Sequence, residues 1–187
     1  MNLIAGFNWL DFLIFFLIIV SMGIGFATGL LRQVISLAAL YIGAVLGAQY
    51  YTVLGDRIRS FAPQTSGDRF LSAFAFIVIL FVVSSIINWL AFDAYRSTQI
   101  RLVPLLDQLG GTVVALVTVT ISLSLLLPVL TFATGEPWPW SEATRQFVLS
   151  GLESSHVLPF FDQLKPLLLT ALRPWLPAGL PALFNLY

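Results

Sequence analysis

Four uninterrupted apolar runs, each bounded by an ionic residue, constrain this chain more than any other feature. They cover about 12–31 between Asp11 and Arg32, 33–55 ending at Asp56, 70–92 between Arg69 and Asp93, and 109–132 after Asp107. A bilayer core about 30 Å thick takes roughly 20 helical residues at about 1.5 Å each. Each run is long enough. Of the 187 residues, 58% are hydrophobic and 10% charged, against about 45–50% and about 25% in soluble domains. Nine basic and nine acidic side chains cannot cover such a chain in water, whereas lipid removes the exposed apolar area as a problem. The expected fold is all-α: a polytopic membrane helix bundle with about four transmembrane helices, followed by a C-terminal amphipathic helical segment.

The bundle is expected over residues 1–132. Arg32 stands almost alone between the first two runs, and Gly25, Thr28 and Gly29 precede it. The first helix should therefore end near Gly25, with a tight turn or break after it. Residues 12–55 then form either two full spans or one span plus a re-entrant segment, with Arg32 snorkelling to the membrane edge. Polar connections lie at 56–69, with Pro63 and Ser66, and at 93–108, with Arg96, Arg101 and Pro104. The basic residues divide too evenly between the two sides for the positive-inside rule to set an orientation. The first ten residues hold no lysine or arginine and no cleavage pattern follows, so the first apolar segment should persist as a helix.

Residues 133–187 form a proline-rich amphipathic segment, expected at the membrane interface or against the bundle, with a partner-binding tail as the alternative. Trp138, Pro139 and Trp140 suit the headgroup level. Ser141 reads as the N-cap of one helix, with Glu142 in its first turn. A second helix should start with Asp162 as cap and Pro166 in its first turn.

Several function classes fall away. The formal charge is zero, which gives no basic face for nucleic acid. There is no cysteine and a single histidine, His156, so neither a two-histidine metal site nor a catalytic triad can be built. Asp11, Asp93 and Asp107 fall at span ends rather than facing one another within them. No catalytic residue, cofactor or metal is expected. The partners expected are membrane lipid, a second copy or other membrane proteins.

Small residues recur four apart at Gly25 and Gly29, Gly43 and Gly47, and Gly111 and Ala115. Close approach across such positions drives helix association in lipid, either inside the bundle or at an oligomer face. Asp107, before Gly110 and Gly111, reads as a cap on the fourth helix or as a partner for Arg32. Asp11 reads as an acidic cap beside the aromatic anchor Trp9. Ser84, Ser85 and Asn88 could line a polar path or bond a neighbouring helix.

Asn8-Trp9-Leu10-Asp11 and the block from Gly25 through Gly29 and Arg32 to Leu37, continued by Ala48, Tyr50 and Tyr51, resemble the N-terminal pattern of the CvpA (colicin V production protein) family. Asp107, Gly111 and Ala115 fall where that family shows an acid followed by small residues four and eight later. Gln108 departs from it, since a basic residue often follows the acid there. The resemblance covers roughly Trp9 to Pro128, more loosely Trp140 to Pro159. It implies a multi-pass protein of the bacterial inner (plasma) membrane associated with colicin V or toxin production or export and with envelope maintenance, and it brings no catalytic residues.

Overall fold

The structure, a computed structural model, describes residues 7–61, 67–94, 104–138, 141–176 and 182–184. They form α1 (Trp9–Thr28), α2 (Leu30–Arg59), α3 (Asp68–Ala94), α4 (Pro104–Thr134), α5 (Glu142–Glu153) and α6 (Leu158–Leu172), then a 3-10 turn at Arg173–Trp175. No strand occurs among the described residues. The first four helices are long and apolar enough to cross a membrane. The chain is a multi-pass membrane helix bundle of the expected class. Pro63, Ser66, Arg96, Arg101, Pro139 and Trp140 lie outside the described residues.

Residues 12–55 make two helices long enough to span, and the break between them is a single residue. α1 continues through Gly25, whose carbonyl accepts the Gly29 N–H at 3.0 Å. Gly29 then takes φ +83°, a conformation that favours glycine. The expected end near Gly25 is therefore displaced by one helical turn. Gly25 serves as a contact surface and Gly29 as the breaker.

The hairpin is splayed, with α4 between its legs. Leu10 and Ile14 of α1 share a buried cluster with Leu123 and Leu127, while Gly25 meets Gly111; α1 is thus antiparallel to α4. Leu30 meets Gly110, and Leu40 and Ala44 share a cluster with Leu125 and Val129, so α2 runs parallel to it. α3 packs antiparallel on α2, with Gly43 against Leu80 and Ser84 and Gly47 against Phe76. α1 and α2 themselves barely touch.

α6 is a strap across this arrangement. Its first part places Phe161 in the cluster with Leu10, Ile14 and Leu127. Its last turn places Leu172 with Leu40 and Ala44, and the Tyr41 hydroxyl donates to the Ala171 carbonyl at 2.8 Å. Leu183 and Phe184 finish the same core, the Phe184 ring standing edge-on to Phe76. The C-terminal helices therefore pack against the bundle.

Further boundaries differ from the sequence reading. α2 continues past Gly55 to Arg59, because a helix need not stop where its apolar run ends and Arg57 and Arg59 in its last turn meet the negative end of its dipole. α4 begins at Pro104, not near 109; proline at a first helical position has no N–H to lose. α6 begins at Leu158, with proline in its first turn at Pro159 and with Pro166 in its interior. Asp162 is consequently no cap, and it pairs with Lys165 one turn on, at 2.5 Å.

Candidate functional site

The first candidate is the vertex where α1, α2 and α4 meet. Asp107 lies in the first turn of α4, and its Oδ1 accepts the Leu30 N–H at 3.0 Å. The first N–H groups of a helix have no partner within it and form the positive end of its dipole. Asp107 supplies that partner to α2 from a different helix. Asp107, read from the sequence as a cap on the fourth helix, lies in the first turn of that helix and in addition accepts from the first residue of the second.

The geometry needs glycines on both sides. A Cβ on Gly29 would lie 2.9 Å from the Asp107 Cγ, and its φ is already in the left-handed region. A Cβ on Gly25 would lie 2.6 Å from the Gly111 carbonyl oxygen and collide with the Ala115 Cβ. A Cβ on Gly111 would lie 2.7 Å from the Gly29 carbonyl carbon. The Ser21 hydroxyl donates to the Ala115 carbonyl at 3.2 Å. Five positions picked out in sequence, Gly25, Gly29, Asp107, Gly111 and Ala115, thus form one interlock. Arg32 is exposed in the first turn of α2 on the same vertex, where Gln33 donates to the Thr28 hydroxyl at 2.9 Å.

Gly43 and Gly47 are placed elsewhere, buried under α3 of the same chain. Ser84 and Asn88 of α3 face the same seam. Ser84 donates to the Ala39 carbonyl at 3.1 Å, and Ser36 donates to the Asn88 side chain at 2.7 Å. Ser85 is exposed.

The second candidate is the Asp11 clasp at the opposite end of α1. Asp11 is fully buried. Its carboxylate accepts the Asn8 N–H at 3.1 Å, the Ser155 hydroxyl at 2.5 Å, and the N–H groups of His156 and Val157, each at 3.3 Å. Asn8 adds donations to the Gly151 carbonyl at 2.7 Å and the Ser154 hydroxyl at 2.8 Å. Asp11 therefore caps its own helix and the start of α6 together. The Trp9 ring fits against Gly151, where a Cβ would lie 2.6 Å from it, and stacks on Phe147 with centroids 4.7 Å apart. Sequence reasoning found Asp11 and Trp9 but missed the Ser154–Ser155–His156 turn. The available signal was that a carboxylate in an apolar run must find donors.

A third carboxylate repeats the device. Glu136, just after α4, accepts the Arg69 N–H at 3.1 Å at the start of α3 and pairs with the Arg69 guanidinium at 3.4 Å. Next to it, Arg145 pairs with Glu142 and donates to the Thr134 carbonyl at 2.8 Å, closing the end of α4. Three helix starts are thus each capped by an acid from another element. Sequence reasoning did not single out Glu136, which sits in the proline-aromatic stretch read as lying at the headgroup level.

The family model described as colicin V production protein matches residues 10–166. The chain belongs to the colicin V production protein family. The match takes in the whole vertex, the clasp from Asp11 to Val157 without Asn8 and Trp9, and most of α6. The multi-pass architecture agrees with it. No curated protein and no solved structure matches the chain.

Proposed function

We propose that this member of the colicin V production protein family is a non-enzymatic scaffold of the bacterial inner membrane, supporting colicin V or toxin production or export and, more broadly, envelope maintenance. One observation carries the reading: Asp11 and Asp107, acids of the kind an intramembrane reaction would use, each accept backbone N–H groups at the start of another helix. Acceptors committed in this way stabilise an arrangement of helices and are poorly placed to shuttle protons. The scaffold presents its surroundings with lipid-facing aromatic residues, among them Phe12, Phe16 and Phe81. Partners, including a second copy, would meet those faces, since the Gly43–Gly47 face is covered by α3.

A solute pathway along Ser84, Ser85 and Asn88 gains less support, because Ser84 and Asn88 are bonded to α2. The test is complementation of a colicin V producer lacking the protein, with secreted toxin as readout. Asp11→Asn and Asp107→Asn keep an acceptor oxygen and should restore secretion once each variant is shown to be folded and inserted. Loss of secretion by a folded amide variant would point to chemistry at that carboxylate and overturn the proposal.

A further inference from the structure

A cleft of about 430 Å³ opens between α2, α4 and α6. Ala38, Tyr41 and Ala44 form one wall, Ile121 and Leu125 the floor, and Leu168 and Ala171 the other wall. We propose that this cleft binds one acyl chain of a bilayer phospholipid, as a retained lipid distinct from those that merely surround the bundle. The size lies within the range of about 300–1,000 Å³ usual for small-molecule sites.

The lining chemistry comes first. Its one hydroxyl, on Tyr41, already donates to the Ala171 carbonyl, so water entering the cleft would find almost no partner. An apolar cleft left unfilled forfeits dispersion contacts along its whole lining. Its occupant must therefore be apolar and flexible enough to follow the walls.

Depth comes second. Tyr41 lies eleven residues into α2 from Leu30, and Ile121 lies thirteen before the end of α4 at Thr134. At about 1.5 Å per residue, these are distances of roughly 17 and 20 Å from the helix ends. The cleft is at the level of the hydrocarbon core, where acyl chains are the surrounding solvent.

The mouth supplies the route. Val34, Ala38, Tyr41 and Ala171 are lining residues that are also exposed, and Leu31, Ile42 and Leu167 beside them face outward. The cleft is thus continuous with the lipid-facing surface of the bundle. α6 is anchored at its start by the Asp11 clasp and at its end by Tyr41, with Gln49 donating to the Trp175 carbonyl at 2.6 Å. The strap is thus tied to α1 at one end and to α2 at the other, on either side of the space.

The experiment reconstitutes the full chain in phosphatidylethanolamine and phosphatidylglycerol vesicles containing a phospholipid with a diazirine midway along one acyl chain. After irradiation, adducts are mapped by mass spectrometry. Adduct density on the lining residues Val34, Ala38, Tyr41, Leu168 and Ala171 should exceed that on the outward residues Phe12, Phe16, Ile19, Phe81 and Ile86 several-fold. Ala38→Phe and Ala171→Phe, which fill the mouth from exposed positions, should each lower the cleft adducts several-fold without changing those on α1 and α3. The wild-type map decides the matter even if a variant fails to fold, because uniform density over cleft and outward faces would overturn the proposal. So would a photoreactive residue at Ala38 that links to residues 177–187 or to a second copy rather than to lipid.

Discussion

The Asp11 carboxylate accepts the Ser155 hydroxyl at 2.5 Å across 144 residues of sequence. That bond fastens the C-terminal strap to the first membrane helix, and its carboxylate serves two helix starts at once. Asp11→Ala removes the acceptor from a buried site and leaves the N–H groups of His156 and Val157 without it. A loss of about 2–4 kcal/mol is expected, in line with hydrogen bonds to charged groups and orphaned buried donors. Limited proteolysis checks this: cleavage between α5 and α6 should speed up while cleavage between α2 and α3 stays unchanged. Asp11→Asn should fall between the two.

At the vertex the contrast is between glycines. Gly25→Leu and Gly111→Leu push α1 off α4 and should prevent stable assembly, with losses of about 3 kcal/mol or more from overpacking. Gly23→Ala meets no atom within 4 Å of its new Cβ and should be neutral, or stabilising by up to about 1 kcal/mol through helix propensity. Thermal unfolding of the three variants in detergent separates them.

Asp107 and Gly29 should respond differently to substitution. Asp107→Ala uncaps α2 and should cost about 1–2 kcal/mol, whereas Asp107→Asn retains an acceptor and should cost less. Gly29→Ala meets both the positive φ and the carboxylate, so it should cost at least as much as Asp107→Ala. Equal stability of all three would remove the vertex as a structural determinant.

Acid should loosen α5 in a defined window. The Arg145 guanidinium and the Gln146 amide donate to Glu142 and hold its pKa down to about 2, from an ordinary 4.5. A carboxylate depressed on folding stabilises the fold above its unfolded pKa and loses that contribution as pH falls through the folded value. Hydrogen exchange of α5 should be unaffected by this group from pH 7 to 5, then its protection should decline from about pH 4.5 towards 2. Glu142→Gln should flatten that decline.

The four spans were legible because an apolar run of twenty residues has few other stable environments, and the vertex residues were legible as a set because small residues and acids are conspicuous in such runs. What each acid caps was not. Asp107 and Leu30 are 77 residues apart, and only the splay of α1 and α2 around α4 brings them together. The start of α4 was missed because Pro104 reads as a loop signal until the helix behind it is known. The true start of α6 was missed because Pro159 and Asp162 both offer helix-start signals in a short stretch. Glu136 was invisible for the opposite reason: nothing local distinguishes a surface glutamate from one that caps a neighbouring helix.

Membrane embedding of the bundle is most directly tested with cysteines introduced into this cysteine-free chain. Phe61, Phe16 and Phe81 have 91%, 61% and 71% of their surface uncovered by protein, so all three would react readily in a water-soluble fold. In intact and in opened membranes, a membrane-impermeant maleimide should label Phe61→Cys, beyond the end of α2, and leave Phe16→Cys and Phe81→Cys unlabelled from both sides. Labelling at position 16 or 81 as fast as at position 61 would contradict the account.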